Sequence, residues 1–246
     1  QAADTSITYP AVTGSYEAMI IRHYDDYNDR PATLPSFQPE PETYFAAADN
    51  SHWPYPQHPA PATAVKGMMT WSSTRIIGTA EWIHSVSYYD EKDRVIQNQS
   101  TNITGGTDIT ALQYNWAGQT LLAVYVQQAF PQGAAPQQHT VITGYDYDDL
   151  GRLLQLRKTI RSEVAGTNSE QPEQVLFSNQ YNAQGQLTQK ILAPYYAGPD
   201  GQGLQTLNYE YNIRGWLLGM NRDYLSGTAP APGITGGNHF GFELRY

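Results

Sequence analysis

The sequence predicts an all-β protein, a run of consecutive antiparallel β-hairpins forming a curved sheet, and three observations predict it. Tyr occurs 19 times against 6 Phe, which favours strands whose side chains carry an apolar body and a polar tip. Gly 21 and Pro 16 supply frequent turns between short strands. A tyrosine, a polar turn-former and a glycine four places after the tyrosine recur along the chain at intervals of roughly 30 residues, the length of two strands and two connections.

The repeated segments read YYDEKDRVIQ from Tyr88, QYNWAGQTLL from Gln113, DYDDLGRLLQ from Asp146, QYNAQGQLTQ from Gln180 and EYNIRGWLLG from Glu210. Their marker tyrosines are Tyr89, Tyr114, Tyr147, Tyr181 and Tyr211. Gly118, Gly151, Gly185 and Gly215 fall where a tight reversal needs the positive φ that glycine adopts without strain. Asn115, Asp148, Asn182 and Asn212 have side chains that bond their own backbone two residues on and start a turn. The first repeat has Asp93 at the glycine position, so its turn is expected to differ in type.

Alternation on the flanks supports strands: Leu207, Tyr209 and Tyr211 share one face while Asn208, Glu210 and Asn212 share the other. Val141, Tyr145 and Tyr147 repeat the pattern, as do Val175, Phe177 and Tyr181. The marker tyrosines are expected to stack on one another between successive hairpins, with hydroxyls bonded near the turns. Removing a buried ring is expected to cost about 2–4 kcal/mol.

The chain divides into residues 1–73, a degenerate hairpin with a Pro-rich ordered insertion; 74–225, the hairpin array; and 226–246, a loop and terminal strand. Eight prolines between Pro31 and Pro61 exclude a central strand or helix interior. Phe37, Tyr44, Phe45, Trp53 and Tyr55 in the same stretch predict that it packs on the sheet, with a short helical turn near Glu42 to Ala48. Pro131 to Gln138 and Ser226 to Asn238 read as mobile loops.

Composition limits the chemistry. A net charge of -9 opposes binding to phosphate backbones, which depends on Lys and Arg, so no nucleic-acid partner is expected. No apolar run approaches bilayer length, and no membrane insertion is expected. Zero Cys removes disulfides and thiolate chemistry. His23, His52, His58, His84, His139 and His239 form no metal-ligand pattern, and Asp25, Asp26 and Asp29, like Asp146, Asp148 and Asp149, read as turn formers rather than a calcium loop. There is no Gly-x-Ser-x-Gly elbow and no phosphate-loop lysine after Gly105-Gly106 or Gly236-Gly237. No catalytic residue, metal site or cofactor is assigned, and the chain is expected not to be an enzyme.

These segments resemble the YD-repeat or RHS-repeat family, most closely in YDDLGRL from Tyr147 to Leu153, with YNAQGQL at Tyr181 and YNIRGWL at Tyr211 departing by Gln or Trp for Arg. The stretch from Thr74 through Leu121 and the blocks YNIRGWLLGMNRDYL and FGFELRY look like large RHS-type proteins of Bacteroidetes, and SYEAMIIRHYDDYNDRP resembles one more degraded hairpin centred on Tyr24 to Arg30. The resemblance implies a secreted or cell-surface protein whose β-strip spirals into a shell. It also implies partners: flanking segments of the same parent or other shell subunits, and an encapsulated effector domain. The self-cleavage motif of toxin-type members is absent, since GPDGQG at Gly198 to Gly203 reads as a hairpin connection. The competing reading is a β-sheet carbohydrate-binding or adhesion module using Trp53, Trp71, Trp82, Trp116 and Trp216.

Overall fold

The computed structural model describes residues 17–47, 55–196, 203–227 and 239–246. The strands are β1 (Ile20–Asp25), β2 (Val65–Arg75), β3 (Trp82–Tyr89), β4 (Val95–Thr101), β5 (Thr107–Tyr114), β6 (Thr120–Ala129), β7 (Gln137–Tyr147), β8 (Leu153–Val164), β9 (Thr167–Tyr181), β10 (Leu187–Leu192), β11 (Gln205–Tyr211), β12 (Leu217–Met220) and β13 (Phe242–Glu243). All belong to one sheet whose spatial order is the sequence order, and each pair is antiparallel. The sheet is open, an unclosed meander.

In a meander every second turn falls at the same end of the sheet, and the five marker-tyrosine turns, four closed by glycine and one by Asp93, occupy one end together. Each has the same wiring. In the third, the Asp148 amide donates to Arg152 O at 3.0 Å and the Gly151 amide to Asp148 O at 2.8 Å, with Gly151 at φ 76°. This is a type I turn closed by a left-handed residue. Asp93 adopts φ 60° and its turn keeps the same two bonds, Asp90 N to Arg94 O and Asp93 N to Asp90 O. The expected difference in type does not occur, because aspartate tolerates the left-handed region.

A register shift immediately precedes each marker tyrosine: Tyr147 pairs with Leu153 while Asp146 pairs with Gln155, leaving Leu154 as an extra residue. The same shift leaves out Ile96, Leu121, Thr188 and Leu218. Such bulges bend the strand and increase its twist.

The first hairpin is built differently from the expectation. Tyr24 and Asp25 do not turn locally toward Arg30; β1 pairs instead with β2, Tyr24 opposite Met69, with a register shift on each side. Asp25 Oδ1 accepts the Gly67 amide at 2.6 Å, and Gly67 has φ 84°. Tyr24, Asp25, Gly67 and Met69 thus hold the places that Tyr147, Asp148, Gly151 and Leu153 hold in a standard turn, with residues 26–66 inserted where two residues suffice elsewhere. The prolines of that insertion cannot supply a return strand, so pairing waits until Val65. The boundary expected between residues 73 and 74 therefore falls inside β2, within a continuous sheet.

The described parts of the insertion form a strap across one sheet face, including a 3-10 helix at Glu40–Tyr44. Cross-strand partners share a face, and registered neighbours line up beneath the strap: Tyr88 with Gln97 and Ala111, Val86 with Gln99 and Ile109, then Val124 and Val126. All eight are buried. Leu34, Tyr27 and Phe37 pack with Val86 and Tyr88, and Phe45 with Ile109, Ala111, Val124 and Val126. Trp53 lies outside the described residues, as do His52 and nearly all of the loops at 198–203 and 226–238.

Candidate functional site

Two surfaces stand out, the ladder of turns along one end and the strap-covered face. In the first four turns of the ladder, the side chain that opens the turn pairs with that of the residue after the left-handed position. Asp90 Oδ2 accepts Arg94 Nε at 2.7 Å, and Asp148 Oδ2 accepts Arg152 Nε at 2.6 Å. In the second and fourth turns Asn replaces Asp and Gln replaces Arg: Asn115 Nδ2 donates to Gln119 Oε1 and Asn182 Nδ2 to Gln186 Oε1, both at 2.7 Å. In the fifth, where Trp216 stands in that place, Asn212 Oδ1 accepts the Arg214 and Trp216 amides. The remaining side-chain atom, an oxygen in both Asp and Asn, accepts backbone amides inside the turn, as Asp148 Oδ1 does from Leu150 and Arg152 and Asn182 Oδ1 from Gln184 and Gln186.

The partner then reaches into the next turn. Gln119 Nε2 donates to Gly151 O at 2.6 Å, Arg152 Nη1 to Asn182 O at 3.3 Å and Gln186 Nε2 to Gly215 O at 3.3 Å. The marker hydroxyls reach back: Tyr114 to Val95 O, Tyr147 to Thr120 O, Tyr181 to Leu153 O and Tyr211 to Leu187 O, at 2.7 to 3.0 Å. Tyr89 does the same to Met69 O. Each acceptor lies two residues past the turn's left-handed residue in the preceding hairpin.

The marker rings do not stack on one another. Successive markers sit on alternate strands, and strands about 4.8 Å apart put them about 10 Å from each other, beyond ring contact. The space is filled by the intervening turn, with the Arg94 guanidinium 4.6 Å from the Tyr114 ring and that of Arg152 4.8 Å from Tyr181. Burial pushes the Tyr114 phenol up in pKa, partly offset by Arg94. Asp90 is held below the usual carboxylate range: its burial acts in the opposite sense, and the Arg94 side chain with the Arg94 and Lys92 amides outweighs it.

The pairing makes a direct prediction. Asp90→Asn or Arg94→Gln alone is expected to cost about 1–2 kcal/mol, and the double change to asparagine with glutamine to recover most of it. A double-mutant cycle in urea should show a coupling of about 1 kcal/mol; strictly additive losses would mean that the side chains do not pair. Because the folded pKa of Asp90 is depressed, its contribution is present above the unfolded pKa and is lost as pH falls through the folded one.

The second surface depends on three glutamines, Gln97, Gln99 and Gln113, each fully buried. Gln97 Oε1 accepts the Gln38 amide at 2.9 Å and Gln97 Nε2 donates to Gln38 O at 2.7 Å. Gln113 repeats this on Ala46, with both bonds at 2.9 Å, and also donates to Gln57 O. A primary amide matches the donor and acceptor of one backbone residue, so each clamp holds the strap as a strand neighbour would. Gln99 Nε2 donates to Ser36 O and Gln97 Oε1, and Arg30 reaches the Tyr88 hydroxyl. Sequence reasoning passed over all three glutamines; polar residues spaced by two within strands flanking an apolar insertion were the available signal.

Beneath the strap, Glu42 Oε1 is buried without a hydrogen-bond partner among the described residues, and Oε2 lies 3.7 Å from His58 Nδ1. Burial raises the Glu42 pKa, and the charge of His58 opposes this. A raised carboxyl favours folding below its unfolded pKa, and that contribution is lost as pH rises through the folded value. Glu42→Gln should therefore flatten the dependence of the urea midpoint on pH between about 4 and 7; an unchanged profile would count against this role.

Of the carboxylates considered for calcium, Asp25 accepts the Gly67 amide, Asp26 pairs with His23 and the Asn28 amide, Asp146 with Arg157, and Asp148 with Arg152. Among the described residues no three His, Asp or Glu converge as a metal-holding group. Of the tryptophans, Trp71 stacks on His23 and bonds Asn28 O. Trp116 and Trp216 are exposed, in separate turns, and each meets another ring, Tyr55 and Tyr246 respectively. Lys92 bonds Tyr55 and lies over Trp116.

Fold and surfaces together define an open, all-β meander of bulged hairpins with one strapped face. No family model matches the chain, and no curated protein matches it.

Proposed function

We propose that the chain is a wall segment of a YD-repeat (RHS-type) shell, secreted or at the bacterial cell surface, joined through its edges to flanking segments of the same parent and enclosing or presenting an effector domain. The observation that carries this reading is the ladder's continuation to the outermost strand. The Tyr246 hydroxyl donates to Leu217 O at 3.0 Å, two residues past Gly215, the marker position once more, although sequence reading did not count Tyr246 as a marker. Neither β1 nor β13 has a second strand partner among the described residues, and an unpaired edge is a template for further pairing. Exposed Ile20 and Ile21 on β1 and half-buried Phe242 on β13 suit continued pairing better than solvent.

Cryo-electron microscopy of the full-length gene product tests this reading. A hollow β-walled particle in which this sheet runs unbroken into its neighbours is expected. A free-standing domain, with both edges facing solvent, would overturn it.

A further inference from the structure

The strap is joined to the sheet in a way that separates its fate from that of the strands. Its ends are fixed by contacts outside the covered face: Asp25 to the Gly67 amide at the point of insertion, and the Ala62 amide to Tyr89 O. Between them, the limb from Leu34 to Ala46 adds no strand to the sheet. It is held through side chains alone: Leu34, Phe37 and Phe45 as apolar anchors, and Gln97, Gln99 and Gln113 as main-chain clamps. Every strand beneath it is paired on both sides to other strands, so no ladder bond has to break for the limb to leave.

We propose that this limb is an independently opening cover, which lifts from the β3–β6 face as one unit while the sheet stays paired. Gln97 and Gln113 grip the limb by the N–H and C=O of Gln38 and Ala46, one clamp on each side of the 3-10 helix, and Leu34, Phe37 and Phe45 supply its apolar contacts. Pro39 and Pro41 lie at the start of the 3-10 helix at Glu40–Tyr44 that joins the two clamped residues, where a missing amide leaves no donor to satisfy. Elements that open below the global unfolding free energy are those with few apolar contacts and exposed connections, which describes this limb better than any central strand.

Native-state hydrogen exchange on the intact chain in low denaturant tests the claim. The Gln38 and Ala46 amides should share one opening, faster than that of the central strand amide of Val124. Gln97→Ala removes the Gln38 clamp and leaves the Ala46 clamp in place, yet a cover that moves as a unit should speed exchange at Ala46 as well, each by on the order of 100-fold. Gln113→Ala should do the reverse, with Val124 protected in both variants. If Gln97→Ala accelerates Gln38 alone, the limb frays locally and the unit is wrong. If both amides exchange only together with Val124, the strap opens only on global unfolding and the cover is wrong.

Discussion

Gln97→Ala is expected to lower the unfolding free energy by about 3 kcal/mol, because it strands the Gln38 N–H and C=O beneath the strap, and each buried polar group left unpaired costs about 1–3 kcal/mol. The loss should exceed that of a surface glutamine by far, since Gln97 is fully buried and also accepts a bond from Gln99. Gln97→Glu should be worse than alanine. A carboxylate cannot donate to Gln38 O, and a charge buried without a partner costs more than a missing amide. Urea denaturation of the two variants, with Gln113→Ala alongside, measures the ordering; a loss under about 1 kcal/mol for Gln97→Ala, the worth of one ordinary hydrogen bond, would show that the clamp is incidental.

Gly106→Ala is expected to cost about 3 kcal/mol or more, at the upper end of overpacking. A methyl there would sit 2.0 Å from Gln128 O and 2.7 Å from its carbonyl carbon, which are backbone atoms that cannot rotate aside. The Asn102 side chain anchors the same place, donating to Gln128 O and accepting the Gly106 and Thr104 amides. Relief would require β6 to shift against β5, and thermal denaturation should report it as a large drop in midpoint. Gly133→Ala is the contrast: nothing lies within 4 Å of the added methyl, but φ is 76°, so only the left-handed strain of about 1 kcal/mol applies.

The turns of the ladder were legible because their chemistry is local. Asp or Asn opens the turn, glycine closes it, and the pattern survives any tertiary context. The turn at Asn102 is wired identically, with Gly105 N to Asn102 O and Asn102 N to Gly106 O, but Thr101 precedes it where a tyrosine would mark it. It belongs to the opposite end of the sheet, where no ladder requires that ring. The first turn was illegible for another reason: its two halves, Asp25 and Gly67, are adjacent in space and separated in sequence by the whole strap. Gln97 escaped notice because the bulge at Ile96 puts neighbouring residues Ile96 and Gln97 both out of solvent, 2% and 0% exposed. Simple alternation cannot sort such a pair.

The strand count has a consequence for assembly. With thirteen strands among the described residues, the first and last of these point the same way, so identical sheets set side by side by pure translation would meet at a parallel seam, with slanted and slightly weaker bonding. An unbroken antiparallel strip would therefore need one more strand, or any odd number, at each joint. Uniform polymerisation of this sheet is thereby disfavoured against pairing with a complementary neighbour.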